Sequence, residues 1–259
     1  MTSIAVTGKG GTGKTLISAL LIHFISKKSR RVLAVDADPD SNLADALGVV
    51  VEKTLGEVRE IFQTSRDEMG TLNKEQWLEG RIYETICECD GFDLLVMGRP
   101  EGEGCYCFAN SLLRGILRKL TRHYEFIIID SEAGLEHFSR KTIDSADYVL
   151  VVTDMSKKGL ATAKRIKELV NELKIEFKDI FLIANRIANE KAEKRIRDFA
   201  EKEGMKLLDV LPYDEKVVEL DLKGIPIVKL EESSEVYRRM SGVAELFLKR
   251  WDFVEKAYS

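Results

Sequence analysis

The first residues with recognisable chemistry form a glycine-rich loop near the start of the sequence. Residues 8–15 read GKGGTGKT, follow the apolar run IAVT and precede an amphipathic stretch. This fits G-x-x-x-x-G-K-[ST], in which glycines let successive backbone N–H groups point at phosphate oxygens beside a helix N-terminus. The loop therefore predicts an ATP or ADP site, in which Lys14 contacts the β- and γ-phosphates and Thr15 ligates Mg²⁺. The residues predicted to bind nucleotide here are Gly10, Gly11, Thr12, Gly13, Lys14, Thr15 and Leu16.

Carboxylates follow two of the later apolar runs. VDADPDSN, residues 35–42, carries Asp36 and Asp38 at the end of the second run, and FIIIDSEAG places Asp130 after four apolar residues. An aspartate at the end of such a run is the Walker B arrangement, which holds Mg²⁺. We therefore predict that Asp130 is a magnesium ligand and that Asp36 supports the magnesium shell.

The four cysteines form two C-x-C pairs, CEC at 87–89 and CYC at 105–107. Two thiolates leave a four-coordinate metal shell incomplete, but a symmetric dimer would bring Cys105 and Cys107 of both chains together. Four sulfurs suit tetrahedral Zn²⁺ or square-planar Ni²⁺. One chain is not expected to join both pairs, since a strand over 92–98 would separate its ends by about 20 Å at ~3.3 Å per residue. Cys87 and Cys89 are then core thiols, edge thiols or an accessory site, and the sequence leaves that choice open.

Seven short apolar runs supply the elements that position these residues. They are IAVT (4–7), VLAV (32–35), LLVM (94–97), FIII (126–129), YVLVV (148–152), IFLIA (180–184) and LLDVL (207–211). The runs are mostly continuous, as in strands covered on both faces, and helical periodicity lies between them. This alternation predicts an α/β fold of the P-loop NTPase type, with a doubly wound, mostly parallel sheet of about seven strands and helices on both faces. The segment 49–90 lacks a clear strand and predicts one or two peripheral helices. With no repeat or linker, we predict a single domain, 1–259.

The composition and charge argue against some classes of function. Apolar residues make up 44% and charged residues 32%, and the net charge is −4, which argues against a nucleic-acid binder that works by neutralising phosphates. No apolar run approaches the ~20 residues of a membrane span, and no basic leader is visible, so we predict a cytoplasmic protein. The stretch VAELFLKRWDFVEKAYS at the end of the sequence predicts a helix packed on the sheet. A reversible membrane anchor would want a more basic polar face.

The phosphate loop also resembles a particular variant of the motif. KGGTGKT, with its early lysine, is similar to the deviant Walker A motif of partition, nitrogenase iron-protein and cell-division-positioning ATPases. The resemblance implies that Lys9 reaches across a dimer to the partner's nucleotide and stabilises charge on the transferred phosphoryl group, so that hydrolysis depends on dimerisation. It implies that Asp38 orients the attacking water, and that IANR and LPYDE bind adenine through Asn185 and Pro212.

The order of four motifs points to one family within that class. KGGTGKT, VDADPDSN, CYC and IIIDSEAGLEHFSR occur in the order that resembles the nickel-insertion ATPases of carbon monoxide dehydrogenase, over residues 3–240 or so. The resemblance implies an ATP-dependent homodimer that binds Ni²⁺ or Zn²⁺ through Cys105 and Cys107 of both chains. It implies carbon monoxide dehydrogenase as the client. It includes no role for CEC, and the sequence does not say which nucleotide favours the metal-bound dimer.

Two other functions stay open on the sequence alone. GRPEGEGC resembles the loop that carries one cluster ligand in nitrogenase iron proteins, and two C-x-C pairs could hold a four-iron cluster. However, DSEAGLEHFSRKT lacks the second cysteine of that family. A positioning or partition ATPase would use the same ATP site with a membrane or DNA, but it has no need of Cys105 and Cys107.

Overall fold

A computed structural model describes most of the chain and arranges it as one sheet with helices on both faces. The described residues are 1–29, 31–58, 74–99, 115, 120, 123–132, 146–172 and 177–258. Cys105 and Cys107 lie outside them, as does much of the loop that follows Asp130.

The strands and helices alternate along the chain as the apolar runs predict. The strands are β1 Thr2–Gly8, β2 Val32–Ala37, β3 Cys87–Glu88, β4 Asp93–Val96, β5 Phe126–Ser131, β6 Tyr148–Thr153, β7 Asp179–Ile187 and β8 Lys206–Pro212. The helices are α1 Lys14–Ser26, α2 Asn42–Leu47, α3 Lys74–Tyr83, α4 Lys157–Glu172, α5 Glu190–Lys202, α6 Glu215–Leu222 and α7 Glu235–Tyr258, with a 3₁₀ turn at Ile227–Lys229. Each predicted run lies in, or largely overlaps, one strand.

The strand order places the phosphate loop at the centre of the sheet. The order is β3-β4-β2-β5-β1-β6-β7-β8, so β1 lies between β5 and β6 and is parallel to both. The crossover connections place the carboxyl ends of the parallel strands at one edge, where ligands bind in open α/β sheets. The expected doubly wound, mostly parallel α/β fold is confirmed.

The strands are apolar throughout because both faces of the sheet are covered. Ile4 and Val6 face a core formed with α1, α2 and α7, while Ala5 faces the opposite core, formed with α4 and α5. Side chains alternate between faces along a strand, so a strand buried on both sides needs an apolar residue at nearly every position. This explains why the runs are continuous.

One short strand lies where the sequence predicts none. Cys87 and Glu88 form β3, which pairs antiparallel with Leu94 and Asp93 of β4. The prediction that 49–90 has no strand is therefore wrong at its end, although α3 agrees with a helix in that segment. A two-residue strand has no periodicity of its own, because its partner determines it.

The long final helix packs on the sheet through the side chains that the structure describes. Val243 and Phe247 are buried, and the Phe247 ring makes edge contacts with Tyr148 and Phe181. This agrees with a core helix. Among the described residues, no helix combines the length and apolar character that crossing a membrane requires.

Candidate active site

The phosphate loop connects β1 to α1 in a conformation that only glycine allows. A Cβ on Gly8 would lie 2.1 Å from the carbonyl oxygen of Val152 in β6, so the loop leaves the sheet against a neighbouring backbone. Gly11 and Gly13 have φ of 79° and 95°, which other residues rarely adopt. The predicted glycine cradle is therefore present, with Lys14 as the first residue of α1.

Two consecutive residues near the end of β7 donate hydrogen bonds to backbone carbonyls of the phosphate loop. Asn185 is buried and its Nδ2 donates to the carbonyl oxygen of Thr12 at 2.9 Å, while Nη1 of Arg186 donates to that of Gly11, also at 2.9 Å. The Arg186 N–H donates to Oδ1 of Asn185 at 2.9 Å and so fixes the orientation of the amide. Both carbonyls of the loop are thereby drawn toward β7. The sequence predicts Asn185 as an adenine contact only, and it misses Arg186.

Arg186 makes this contact from an unusual backbone position. Its φ is 60°, in the left-handed region that a non-glycine residue adopts at a cost of about 1–2 kcal/mol. The register of β7 against β8 also shifts between Ala184 and Ile187. The end of β7 is thus irregular where it meets the loop. The dipeptide Asn-Arg, which follows the apolar run IFLIA within β7, is the sequence signal of this arrangement.

Lys14 is a buried cation surrounded by carboxylates. Only 7% of its surface is exposed, and burial lowers the pKa of its ammonium group, while the charges of Asp130 and Asp38 act in the opposite direction. A largely desolvated ammonium group beside a glycine loop attracts a phosphate strongly, because little water screens it. The position fits the predicted contact with the β- and γ-phosphates.

Asp36 and Asp130 lie side by side on adjacent strands. They are register partners of β2 and β5, and both are almost fully buried. Burial, followed by the charge of Asp130, raises the pKa of Asp36 to about 7, although the N–H groups of Leu43 and Asp38 donate to its carboxylate at 2.9 and 3.1 Å. Burial likewise raises the pKa of Asp130 to about 6, against hydrogen bonds from Thr15 and Ser18.

The side-chain oxygens of Asp36, Asp130 and Thr15 fit Mg²⁺ that is bound together with nucleotide phosphates. A divalent cation relieves the repulsion between two buried carboxylates, and the Thr15 side chain is already hydrogen-bonded to Asp130. The described residues contain no cluster of three or more His, Cys, Asp or Glu side chains that could hold a metal alone. Mg²⁺ does not need one, since it keeps several waters and binds one or two carboxylates plus phosphates.

Asp38 lies in the turn between β2 and α2, close to this pair. Its N–H donates to Asp36, its carboxylate accepts from the N–H of Asp40 at 3.0 Å, and its carbonyl accepts from the N–H of Ser41 at 2.9 Å. Asp40 in turn forms an exposed ion pair with Arg99. Asp38 is thus held beside Lys14 and is partly open to solvent, as a residue that orients water would be.

Among the described residues, the hydrogen bonds of Lys9 are to its own loop. Its Nζ donates to the Gly10 carbonyl at 3.2 Å, and its backbone carbonyl accepts from the Thr12 hydroxyl at 2.8 Å. Neither of these contacts within the described part of the chain is with a carboxylate. Its role across a dimer stays a prediction.

A cavity of about 750 Å³ opens beside the loop and brings together residues that are far apart in the sequence. Thr15 and Leu16 line one side, and Asn185 and Pro212 line another, together with Tyr213. The volume suits a nucleoside, because small-molecule pockets run from about 300 to 1,000 Å³. The residues predicted to bind adenine therefore share one cavity with the start of α1.

The comparisons with known proteins agree with this geometry. The family described as the CobQ/CobB/MinD/ParA nucleotide binding domain matches residues 3–227. The chain is 50% identical over 250 residues to an uncharacterized ATP-binding protein of Methanocaldococcus jannaschii, covering 95% of this chain and 98% of that one. It is 38% identical over 234 residues to the carbon monoxide dehydrogenase accessory protein CooC of Rhodospirillum rubrum, covering 86% and 88%. The Mg-ADP complex of the septum site-determining protein MinD from Pyrococcus horikoshii has a TM-score of 0.72 and 24% identity, covering 95% of each chain.

Proposed function

The chain belongs to the CobQ/CobB/MinD/ParA family of nucleotide-binding ATPases, and from that premise we propose an ATP-dependent metallochaperone that assists carbon monoxide dehydrogenase. The observation that carries the ATPase activity is the convergence of Lys14, Asp36 and Asp130 on one glycine loop. The name and 38% identity of the R. rubrum relative support the client. The identity of the client enzyme and that of the delivered metal are both part of this proposal.

Each residue of the site has a role in the proposed hydrolysis. The loop N–H groups and Lys14 would bind the phosphates. Thr15 and Asp130 would hold Mg²⁺, and Asp36 would support the magnesium shell. Bound Mg²⁺ supplies positive charge at the phosphate oxygens. Asp38 orients water for in-line attack, and its partly exposed position beside Lys14 supports this role. Asn185 and Pro212 enclose the adenine in the cavity.

Lys9 links hydrolysis to dimerisation in this proposal. Within the described residues its Nζ donates to the exposed carbonyl oxygen of Gly10, and exchanging that bond for a contact with the phosphoryl group of a second chain costs little. A cation placed there stabilises the charge that develops in the transition state, as an arginine finger does. Hydrolysis then requires a homodimer, and turnover per chain rises with protein concentration.

The metal is the cargo of the protein. Cys105 and Cys107 of two chains would supply four thiolates to Ni²⁺ or Zn²⁺, and nucleotide-driven closure would assemble or release that site. The C-x-C spacing and the CooC relative support this role.

The cytoplasmic location and the single domain, 1–259, stay predictions.

Native mass spectrometry of the anaerobically purified chain tests the cargo. We expect one Ni²⁺ shared between the two chains of each dimer. This ion should be lost in Cys105→Ser, with ATP affinity unchanged, and retained in Cys87→Ser, the matched control. An unchanged nickel stoichiometry in Cys105→Ser would contradict the site. Four iron and four sulfide per dimer would indicate a reductase instead. No bound metal would favour a positioning ATPase, whose binding to liposomes or DNA would then be measured.

A further inference from the structure

The second cysteine pair lies on a short hairpin at the edge of the sheet. β3 and β4 pair antiparallel, with Cys87 opposite Leu94, and the N–H of Cys89 donates to the carbonyl oxygen of Phe92 at 2.9 Å. Gly91, with φ of 85°, makes the turn between the strands. Cys89 lies just beyond β3, but its bond to Phe92 continues the pairing, so the backbone directs both thiols to one side, as for residues two apart in extended chain.

The distance between the two sulfurs matches one kind of metal geometry. The thiol of Cys89 donates a hydrogen bond to Sγ of Cys87 with the sulfurs 3.8 Å apart, and both cysteines are free of disulfides and half-buried. Two sulfurs bound to one tetrahedral Zn²⁺ at about 2.3 Å lie about 3.8 Å apart, whereas a right angle at the same bond length brings them to about 3.3 Å. We propose that Cys87 and Cys89 form a single-chain, two-thiolate site for a tetrahedral divalent cation such as Zn²⁺.

The two sulfurs have only weak contacts with the protein around them. Sγ of Cys89 lies 3.5 Å from the carbonyl oxygen of Cys87, and Sγ of Cys87 lies 4.0 Å from that of Val50. Both side chains pack against the apolar core at this edge of the sheet. A divalent cation bound here would displace two thiol protons, and the charge of the two thiolates would balance that of the metal.

The pair supplies two of the four ligands that a tetrahedral ion needs. Among the described residues, no third His, Cys, Asp or Glu side chain completes a metal cluster around it. In the proposed site the other two positions of the tetrahedron are open to water. An open coordination position is typical of sites that exchange ligands, whereas structural zinc sites are closed by four protein ligands. We expect a labile site rather than a structural one.

A cobalt and zinc titration of the full chain tests the site separately from Cys105 and Cys107. In Cys105→Ser/Cys107→Ser the only remaining thiols are Cys87 and Cys89. We expect one Co²⁺ per chain, with the intense visible bands of tetrahedral cobalt and sulfur-to-metal charge transfer. Zn²⁺ should displace the cobalt, and binding should release close to two protons per metal.

Two further variants and a thiol count make the result decisive. Adding either Cys87→Ser or Cys89→Ala should abolish the bands, while circular dichroism and nucleotide binding show that the fold is intact. Cobalt bound equally in those variants, or weak octahedral bands, would overturn the site. Fewer than two titratable thiols in the reduced protein would also overturn it. The proposed function does not depend on this outcome, because both proposed interface ligands are absent from the test protein.

Discussion

Replacing Asp130 by asparagine should make the nucleotide-free protein more stable at neutral and alkaline pH. Asp130 is 1% exposed, and burial raises the pKa of its carboxyl to about 6. Asparagine has the shape of the protonated carboxyl and never ionises. Its hydrogen-bond partners, Thr15 and Ser18, are hydroxyls, which can donate or accept and so accommodate an amide.

The size and sign of the effect follow from the pKa of Asp130. The unfolded chain releases this proton near 3.8 and the folded chain near 6, so unfolding at high pH is favoured by about 3 kcal/mol at about 1.36 kcal/mol per pKa unit. Because the folded state binds more protons between those values, the wild type loses stability as pH rises through them. The stability difference in favour of Asp130→Asn should grow by about 1.4 kcal/mol from about pH 5 to about pH 8.

Urea unfolding at a series of pH values, without nucleotide, measures this difference. Asp198→Asn, on the exposed side of α5, is the matched control and should change stability little at any pH. The stabilised Asp130→Asn protein should also lose the further stabilisation that Mg-ADP gives the wild type, because its magnesium ligand is gone. A variant no more stable than the wild type at about pH 8 would refute the reasoning.

Three other substitutions test the loop. Lys9→Ala should keep nucleotide affinity and lose most turnover, so wild-type turnover in steady-state kinetics would refute the trans role. Gly13→Ala would place a Cβ 2.3 Å from Nδ2 of Asn185 at a φ of 95°, and the strain of about 1–2 kcal/mol plus a lost hydrogen bond of about 1 kcal/mol should weaken nucleotide binding at least tenfold by fluorescence titration. Arg186→Met removes the donor to Gly11, so KM for ATP should rise about two- to tenfold at constant kcat. A fall in kcat alone would contradict a purely positioning role.

Much of the fold could be predicted because the strands are buried on both faces. Runs such as VLAV and FIII are apolar at every position, which is a strong signal even in four residues. β3 could not be predicted in this way, since Cys87 and Glu88 are a strand only through their pairing with β4. Such a short edge strand carries no periodicity, and its existence depends on tertiary structure.

The site shows the same division between local and tertiary information. Asp36 and Asp130 could be placed together because parallel strands end at one edge of the sheet, and the structure makes them register partners. The bonds from Asn185 and Arg186 to the loop could not be predicted. They depend on a left-handed residue and an irregular register at the end of β7, and no motif encodes either feature.

The central position of β1 has a consequence for the newly made chain. β1 ends at Gly8, but its neighbours β5 and β6 begin only at Phe126 and Tyr148. At ribosomal rates of about 5–20 residues per second, synthesis of the strands that flank the phosphate loop follows that of the loop by on the order of ten seconds. Asn185 is synthesised later still. Contacts this distant in sequence also make folding slow. Throughout that interval the apolar strand is without its partners, so this ATPase is expected to acquire nucleotide only after most of its sequence has left the ribosome.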